Sequence, residues 1–215
     1  MSDRGYVPAV GRKELTALYD PLVALTMREG SWRPKLLGRL GPLGPDDLPV
    51  VDVGAGTGTF ALMIAGALPE AKVIAVDGDP KVMEIAAAKP GAERVDFRLG
   101  LAWELGLPDG SAEVVVFSLV LHHLVPADKT RALDEARRVL RPGGQLLIAD
   151  FGRPSILTAP GFLAIRLLDG LENTRAHLKG EILETVRGSG FREALVFDRV
   201  TTVWGSLELI QARNP

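Results

Sequence analysis

The chain of 215 residues contains no cysteine. Disulfides, thiolate metal sites and a cysteine nucleophile are therefore excluded. Aromatic residues are sparse at 6%, and both tyrosines, Tyr6 and Tyr19, precede the first strand signal. No charge of one sign dominates: 25 basic against 27 acidic residues leave a formal charge of −2. No global field then draws the chain to nucleic acid or to an anionic membrane. Long apolar runs are missing as well. Residues 114–121 form the longest, which Ser118 interrupts, and it is too short to span a bilayer. The opening MSDRGYVPAV lacks the apolar stretch of a secretory signal. From these absences we expect a soluble, cytoplasmic protein with no metal site, no nucleic-acid partner and no integral membrane association. Nothing in the sequence points to an oligomeric state.

What is present suits one domain able to bury a full core, with 47% hydrophobic residues. Helical spacing of apolar residues marks 12–28 and 32–40, and a Gly/Pro-rich stretch at 38–49 follows. Residues 1–48 read as an N-terminal helical arm or lid, and 49–215 as the main fold. Strand and helix signals then alternate: strands at 50–53, 72–77, 95–99, 113–117 and 145–149, helices at 60–68, 80–89 and 127–140. Pro142-Gly143-Gly144 is expected to stop the last of these helices. Repeated β-then-α units predict a parallel sheet covered by helices on both faces. The tail differs. After a helix at 181–189, strands at 192–199 and 202–212 follow one another directly and must pair antiparallel.

The first chemical signal is the strand–loop–helix run Asp52-Val53-Gly54-Ala55-Gly56-Thr57-Gly58. Glycines permit a sharp turn and close approach of a ligand to the backbone. The unpaired N–H groups of the next helix favour a carboxylate, such as the methionine end of S-adenosylmethionine (AdoMet). A dinucleotide loop is the rival, but its third glycine position holds Thr59, and Gly58 comes one residue early. Asp77, ending the second strand before Gly78, is suited to accept both ribose hydroxyls, while Asp79 before Pro80 is the better helix cap. The Gly loop, Asp77, Leu101-Ala102-Trp103 and Ser118-Leu119 each follow or end a strand. In an open parallel sheet that puts them on one edge, where ligands bind.

The segments VVDVGAGTGTF (50–60), VIAVDGDP (73–80), LPDGSAEVVVFSLVLHHL (107–124) and VLRPGGQLLIAD (139–150) cover about half the chain. Together they resemble the class I AdoMet-dependent methyltransferases, and within them the type 11 branch of ubiquinone/menaquinone-biosynthesis and small-molecule enzymes. The resemblance implies a Rossmann-like α/β fold with a seven-stranded, doubly wound sheet ordered 3-2-1-4-5-7-6, strand seven antiparallel. It implies methyl transfer from AdoMet, leaving S-adenosylhomocysteine (AdoHcy). By the same resemblance Asp52, Gly54, Ala55, Gly56, Thr57 and Gly58 hold the methionine end. Asp77 and Gly78 take the ribose, and Ala102 with its neighbours the adenine. Ser118 and Leu119 run past the cofactor by main chain. Tyr19 resembles the tyrosine that closes over it. Relatives carry an Asp where this chain has Leu101, so the adenine contact is expected to rest on main chain and on Trp103, which reads equally as a core residue. Without thiolates, arsenite methylation is excluded.

Methyl transfer needs alignment first, and a base only for a protonated acceptor. Adjacent His122 and His123 after strand four are the candidates to orient or deprotonate the acceptor; the bland alternative is a helix turn with one ring packed and the other solvated. His177 is weaker, and Asp150 ends strand five at the same edge. The acceptor, a small molecule of aromatic, quinone-like or lipid-like character, is expected between the arm (Tyr19, Met27, Trp32) and an insertion at 152–179. Residues 162–168 of that insertion read as an amphipathic helix that either lines the pocket or packs on the sheet. Two further readings stay open: a nicotinamide-dependent oxidoreductase, which the absence of a Tyr-x-x-x-Lys pair disfavours, and a non-catalytic AdoMet-binding protein.

Overall fold

The computed structural model describes residues 25–44 and 46–215. Tyr19 and most of the helix expected at 12–28 lie outside them. Helix α1 (Glu29–Leu37) precedes β1 (Val50–Val53), α2 (Thr59–Ala67), β2 (Val73–Asp77) and α3 (Pro80–Ala87). A short 3-10 turn, Ala92–Arg94, leads into β3 (Val95–Leu99). Next come β4 (Ala112–Ser118), a 3-10 turn at Leu121–His123, α4 (Pro126–Val139) and β5 (Leu140–Phe151). Helices α5 (Ala159–Asp169), α6 (Arg175–Lys179) and α7 (Ile182–Gly188) lead to β6 (Arg192–Thr201) and β7 (Ser206–Arg213).

The seven strands form one sheet in the order β3-β2-β1-β4-β5-β7-β6. Strands β1 to β5 pair in parallel, and β7 runs antiparallel to both β5 and β6. The predicted topology is the observed one. The chain winds outward from β1 to β3, then returns to β4 on the other side of β1. That reversal opens a crevice beyond the carboxyl ends of β1 and β4.

Every residue of β1 is buried, because side chains of alternate parity feed two different cores. Val51 and Val53 join Val115, Phe117, Leu146 and Ile148 under α4 and α7. Val50, Val116 and Leu147 join Phe60 and Ile64 of α2 and Trp32 and Leu36 of α1. Trp32 is fully buried and packs 6.3 Å from Phe60 between ring centroids, and Met27 is buried too. This corrects the expectation that Met27 and Trp32 line the acceptor pocket: both are core residues.

A second correction concerns Pro142-Gly143-Gly144. Helix α4 already ends at Val139, and these residues lie within β5 as an irregularity between the pairs Ala112–Leu140 and Val114–Gln145. Main-chain hydrogen bonds tie the irregular stretch to Asn214, at 3.0 Å from Gly143 N–H and 2.9 Å to Gly144 C=O. The insertion helix α5 packs hard on the β6–β7 connection, where a Cβ on Gly161 would meet the Val203 carbonyl oxygen at 1.8 Å. Only part of its apolar surface is covered. Phe162 is buried against Phe151, while Leu163, Leu167 and Leu168 face outward.

Candidate cofactor and acceptor site

Strands β1, β2 and β4 are almost wholly buried, yet Gly54, Ala55, Gly56, Thr57, Asp77, Gly78, Ser118 and Leu119 are all partly exposed. So are Leu101, Ala102 and Trp103 beyond β3. The residues expected at the ligand edge are thus open to solvent where the strands around them are not. The loop glycines have different tasks. A Cβ on Gly54 would sit 2.5 Å from Val120, and one on Gly58 2.9 Å from Ala86 and Phe97. Those two are demanded by packing. Gly56 alone faces open space, with φ at +54°. Its N–H donates to Asp77 Oδ2 at 2.8 Å, and the Asp79 N–H donates to Oδ1 at 2.9 Å. Asp79, as expected, caps α3 by accepting from Lys81 N–H. Lys89, which no sequence motif singled out, donates from Nζ to the hydroxyls of Thr57 and Thr59 at 2.9 and 3.0 Å and pins the loop from outside.

Asp52 is fully buried, and neither of its carboxylate oxygens has a hydrogen-bond partner among the described residues. Burial pushes its carboxyl up to about 7, against an opposing pull from Arg33, with a further push from Asp77 and a weaker pull from the Ala61 main-chain N–H. No cation is hydrogen-bonded to this carboxylate at the foot of the glycine loop among the described residues. Asp77, by contrast, already accepts two main-chain bonds.

At the adenine end, Leu101 and Glu104 close a tight turn, with Glu104 N–H donating to Leu101 C=O at 2.9 Å. Trp103 is half-buried, and the Arg131 guanidinium lies 5.2 Å from its ring centroid. One face of the indole is thus occupied by a cation–π contact. At the end of β4, Leu119 holds φ at +59°, a strained backbone for a bulky residue, with its N–H donating to Ala149 C=O at 2.8 Å. That bond couples the end of β4 to the end of β5.

Beyond β4 and β5 lies a polar cluster. His122 is buried and His123 is half-exposed, yet their rings lie 4.0 Å apart between centroids. His122 Nδ1 lies 2.8 Å from Asp150 Oδ1. Asp150 also accepts from Leu121 N–H and Phe151 N–H, each at 2.7 Å. Burial alone would raise the Asp150 carboxyl, but the facing His122 and His177 rings and the bonds from His122 and Phe151 N–H outweigh it and hold it below its ordinary range. Burial, with His123 alongside, lowers the His122 ring against the pull of Asp150, so it is neutral with Nδ1 protonated. His177 is fully buried, 2.6 Å from the Phe151 carbonyl through Nδ1, and burial pushes it down to about 4. Asp169, at the end of α5, was not foreseen. It faces His123 Nδ1 at 3.1 Å and His122 Nε2 at 3.7 Å. Nothing local in the sequence links it to the histidines.

A Gly loop with an orphaned acid, at the reversal point of a 3-2-1-4-5-7-6 sheet, defines an AdoMet-binding fold of the methyltransferase class. The methyltransferase domain family profile matches residues 51–148. A malonyl-[acyl-carrier protein] O-methyltransferase of Methylococcus capsulatus is 31% identical over 206 residues, 91% of this chain and 72% of that protein. A demethylmenaquinone methyltransferase of Deinococcus radiodurans is 34% identical over 108 residues, 49% of this chain, and only 44% of its length is matched. Several other curated relatives are likewise covered over only about half their length. Among solved structures, a SAM-dependent methyltransferase of Thermotoga maritima has the same fold, with a TM-score of 0.69 at 22% identity, covering 94% of this chain and 97% of that one. The chain belongs to the class I AdoMet-dependent methyltransferases.

Among the described residues, no helix is long and apolar enough to cross a membrane.

Proposed function

We propose that this chain methylates a small-molecule acceptor held beyond the carboxyl ends of β4 and β5. The observation that carries the cofactor half of this reading is Asp52, a buried carboxylate with no partner in good hydrogen-bond geometry among the described residues, beneath an open Gly56. In this reading Asp52 takes the methionine ammonium, and the main chain of Gly54, Ala55, Gly56, Thr57 and Gly58 receives the methionine end. Asp77, already oriented by two main-chain donors, takes the ribose hydroxyls. Gly78, Leu101, Ala102, Trp103, Ser118 and Leu119 border the nucleoside, with the indole offering the face that Arg131 leaves clear. Residues 1–48, with Tyr19, act as an arm over the main domain of 49–215. AdoMet supplies an activated methyl group whose transfer to an acceptor lone pair leaves AdoHcy.

The chain's own contribution is alignment and exclusion of water, which supplies much of a displacement's acceleration. Asp150 holds His122 with its Nε2 lone pair turned toward Asp169, so His122 and His123 border the acceptor rather than the cofactor. The acceptor in this reading has an aromatic, quinone-like or lipid-like body. The names of the quinone-pathway relatives lean the same way. Calorimetry with AdoMet, AdoHcy and NAD tests the cofactor half: AdoHcy is expected to bind and NAD not. A labelled-methyl assay over quinols, phenols, amines and acyl-carrier thioesters tests the other half. Label transfer to protein or nucleic acid alone would remove the small-molecule reading.

A further inference from the structure

His122 and Asp169 stand in an arrangement that neither group satisfies alone. The His122 Nδ1–H is committed to Asp150 at 2.8 Å, which leaves a lone pair on Nε2. That lone pair faces the Asp169 Oδ2 across 3.7 Å, too far for a hydrogen bond and with two electron-rich atoms opposed. His123 Nδ1 approaches the same carboxylate at 3.1 Å through Oδ1. One ligating atom from each of the three side chains lies within 4.8 Å of the others. Bonds of about 2.0–2.2 Å from nitrogen and carboxylate oxygen to a tetrahedral ion separate neighbouring ligand atoms by roughly 3.3–3.6 Å. The separations to the two oxygens of Asp169, 3.1 Å from His123 to Oδ1 and 3.7 Å from His122 to Oδ2, lie on either side of that range.

We infer that His122, His123 and Asp169 form a binding site for one divalent transition-metal ion, with open positions that an acceptor heteroatom can fill. The pattern around the ligands is that of a built site. A carboxylate behind a ligating imidazole fixes its tautomer and raises its basicity, and Asp150 stands in that position, itself locked by two main-chain N–H groups. Asn173 Nδ2 donates to the His123 carbonyl at 2.8 Å and to the Asp169 carbonyl at 2.7 Å, clamping together the two segments that carry the ligands. Buried Lys129 donates from Nζ to the carbonyls of Leu124 and Asn173, bracing the same clamp. Two imidazoles and one carboxylate without any thiolate select zinc, cobalt, iron(II) or manganese over calcium or magnesium. His123 is 42% exposed at its side chain and Asp169 13%, so the cluster is reached from solvent. A cation there polarises a hydroxyl or amine of the acceptor. That role rests on the acceptor-side reading above, whereas the binding site itself does not.

The test uses the full chain, stripped with a chelator and titrated with cobalt(II) chloride, read by its visible d–d absorption and by equilibrium dialysis. One equivalent is expected to bind. Asp169→Asn and His123→Ala, both at partly exposed positions, are each expected to weaken cobalt affinity at least tenfold. Asp150→Asn should weaken it about 10- to 100-fold without removing a ligand. AdoHcy affinity, followed by calorimetry on the same samples, is expected to stay unchanged in Asp169→Asn and His123→Ala and reports folding and the cofactor reading separately. The proposal is overturned if wild-type protein that binds AdoHcy takes up no cobalt, or takes up an equivalent that Asp169→Asn and His123→Ala leave unaltered.

Discussion

Asp52 and Asp150 are both buried aspartates near the carboxyl ends of parallel strands in one sheet, and they are opposites. Asp150 accepts three hydrogen bonds, from Leu121 N–H, Phe151 N–H and the His122 ring, and is held below the usual carboxylate range. Asp52 has no partner in good hydrogen-bond geometry among the described residues and is pushed up to about 7 by burial, which the pulls of Arg33 and the Ala61 N–H only partly offset. Asp150 is satisfied by the protein's own donors, while Asp52 holds no hydrogen-bonded cation among the described residues, the gap that the proposed methionine ammonium would fill. An unmet buried acid is costly to the free protein and valuable to the complex.

The contrast breaks most sharply at Asp150. Asp150→Ala strands three buried donors and is expected to destabilise the chelated protein by about 3–5 kcal/mol, each donor contributing roughly 1–3. Thermal unfolding should show a fall on the order of 10 °C. An unchanged melting temperature would mean that the network is not a stabilising unit. Asp52→Asn should do the reverse. Its melting temperature is expected to hold within about 1 kcal/mol of stability, since no hydrogen bond is lost. AdoMet affinity should fall by about 1.5–3 kcal/mol, as for a hydrogen bond to a charged group, which is roughly ten- to a hundredfold by calorimetry.

The glycines sharpen the same division. Gly54→Ala forces a Cβ to 2.5 Å from Val120 and is expected to destabilise the fold by about 1–3 kcal/mol through overpacking. Gly56→Ala meets nothing within 4 Å, so its effect should lie in AdoMet affinity beyond a strain of about 1 kcal/mol at positive φ. Equal melting temperatures for the two variants would contradict that assignment.

The smallest effect is in pH. Asp52 has a folded-state pKa raised from 3.8 to about 7, so the free protein keeps its proton below that value and loses stability as pH climbs through this window. Binding of the ammonium expels the proton. AdoMet affinity should therefore rise with pH by up to about 1.4 kcal/mol per unit below 7 and level off above it. Calorimetry near pH 6 should report close to one proton released in wild type and none in Asp52→Asn.

The cofactor side was legible because its determinants are local. The strand, the Gly54-Ala55-Gly56 turn, Asp77 and the Asp79 cap of α3 are each contained in a short segment, and the hydrophobic periods align them with the ends of strands. Even there, packing reassigned parts. Trp103 carries Arg131 on one face, Trp32 is core, and Gly54 and Gly58 make room for Val120, Ala86 and Phe97. The acceptor side was legible only in outline. His122, His123 and Asp150 stood out as residue types at strand ends. Their partner Asp169 and the clamp Asn173 come from the insertion, and Asn173 lies 50 residues from His123 in sequence. Neither the helical period of α5 nor its composition marks which polar residue turns inward.

The sequence by itself determined the parallel core with its antiparallel end, which follow from the alternation of β and α signals and from the two consecutive strands of the tail. The strand order came with the resemblance to a known family. Only the tertiary structure decided which of two alike aspartates is satisfied, and which carboxylate meets the histidine pair. Hydrogen-bond satisfaction and burial are set by segments remote along the chain, and they arrive at a side chain only when the fold closes.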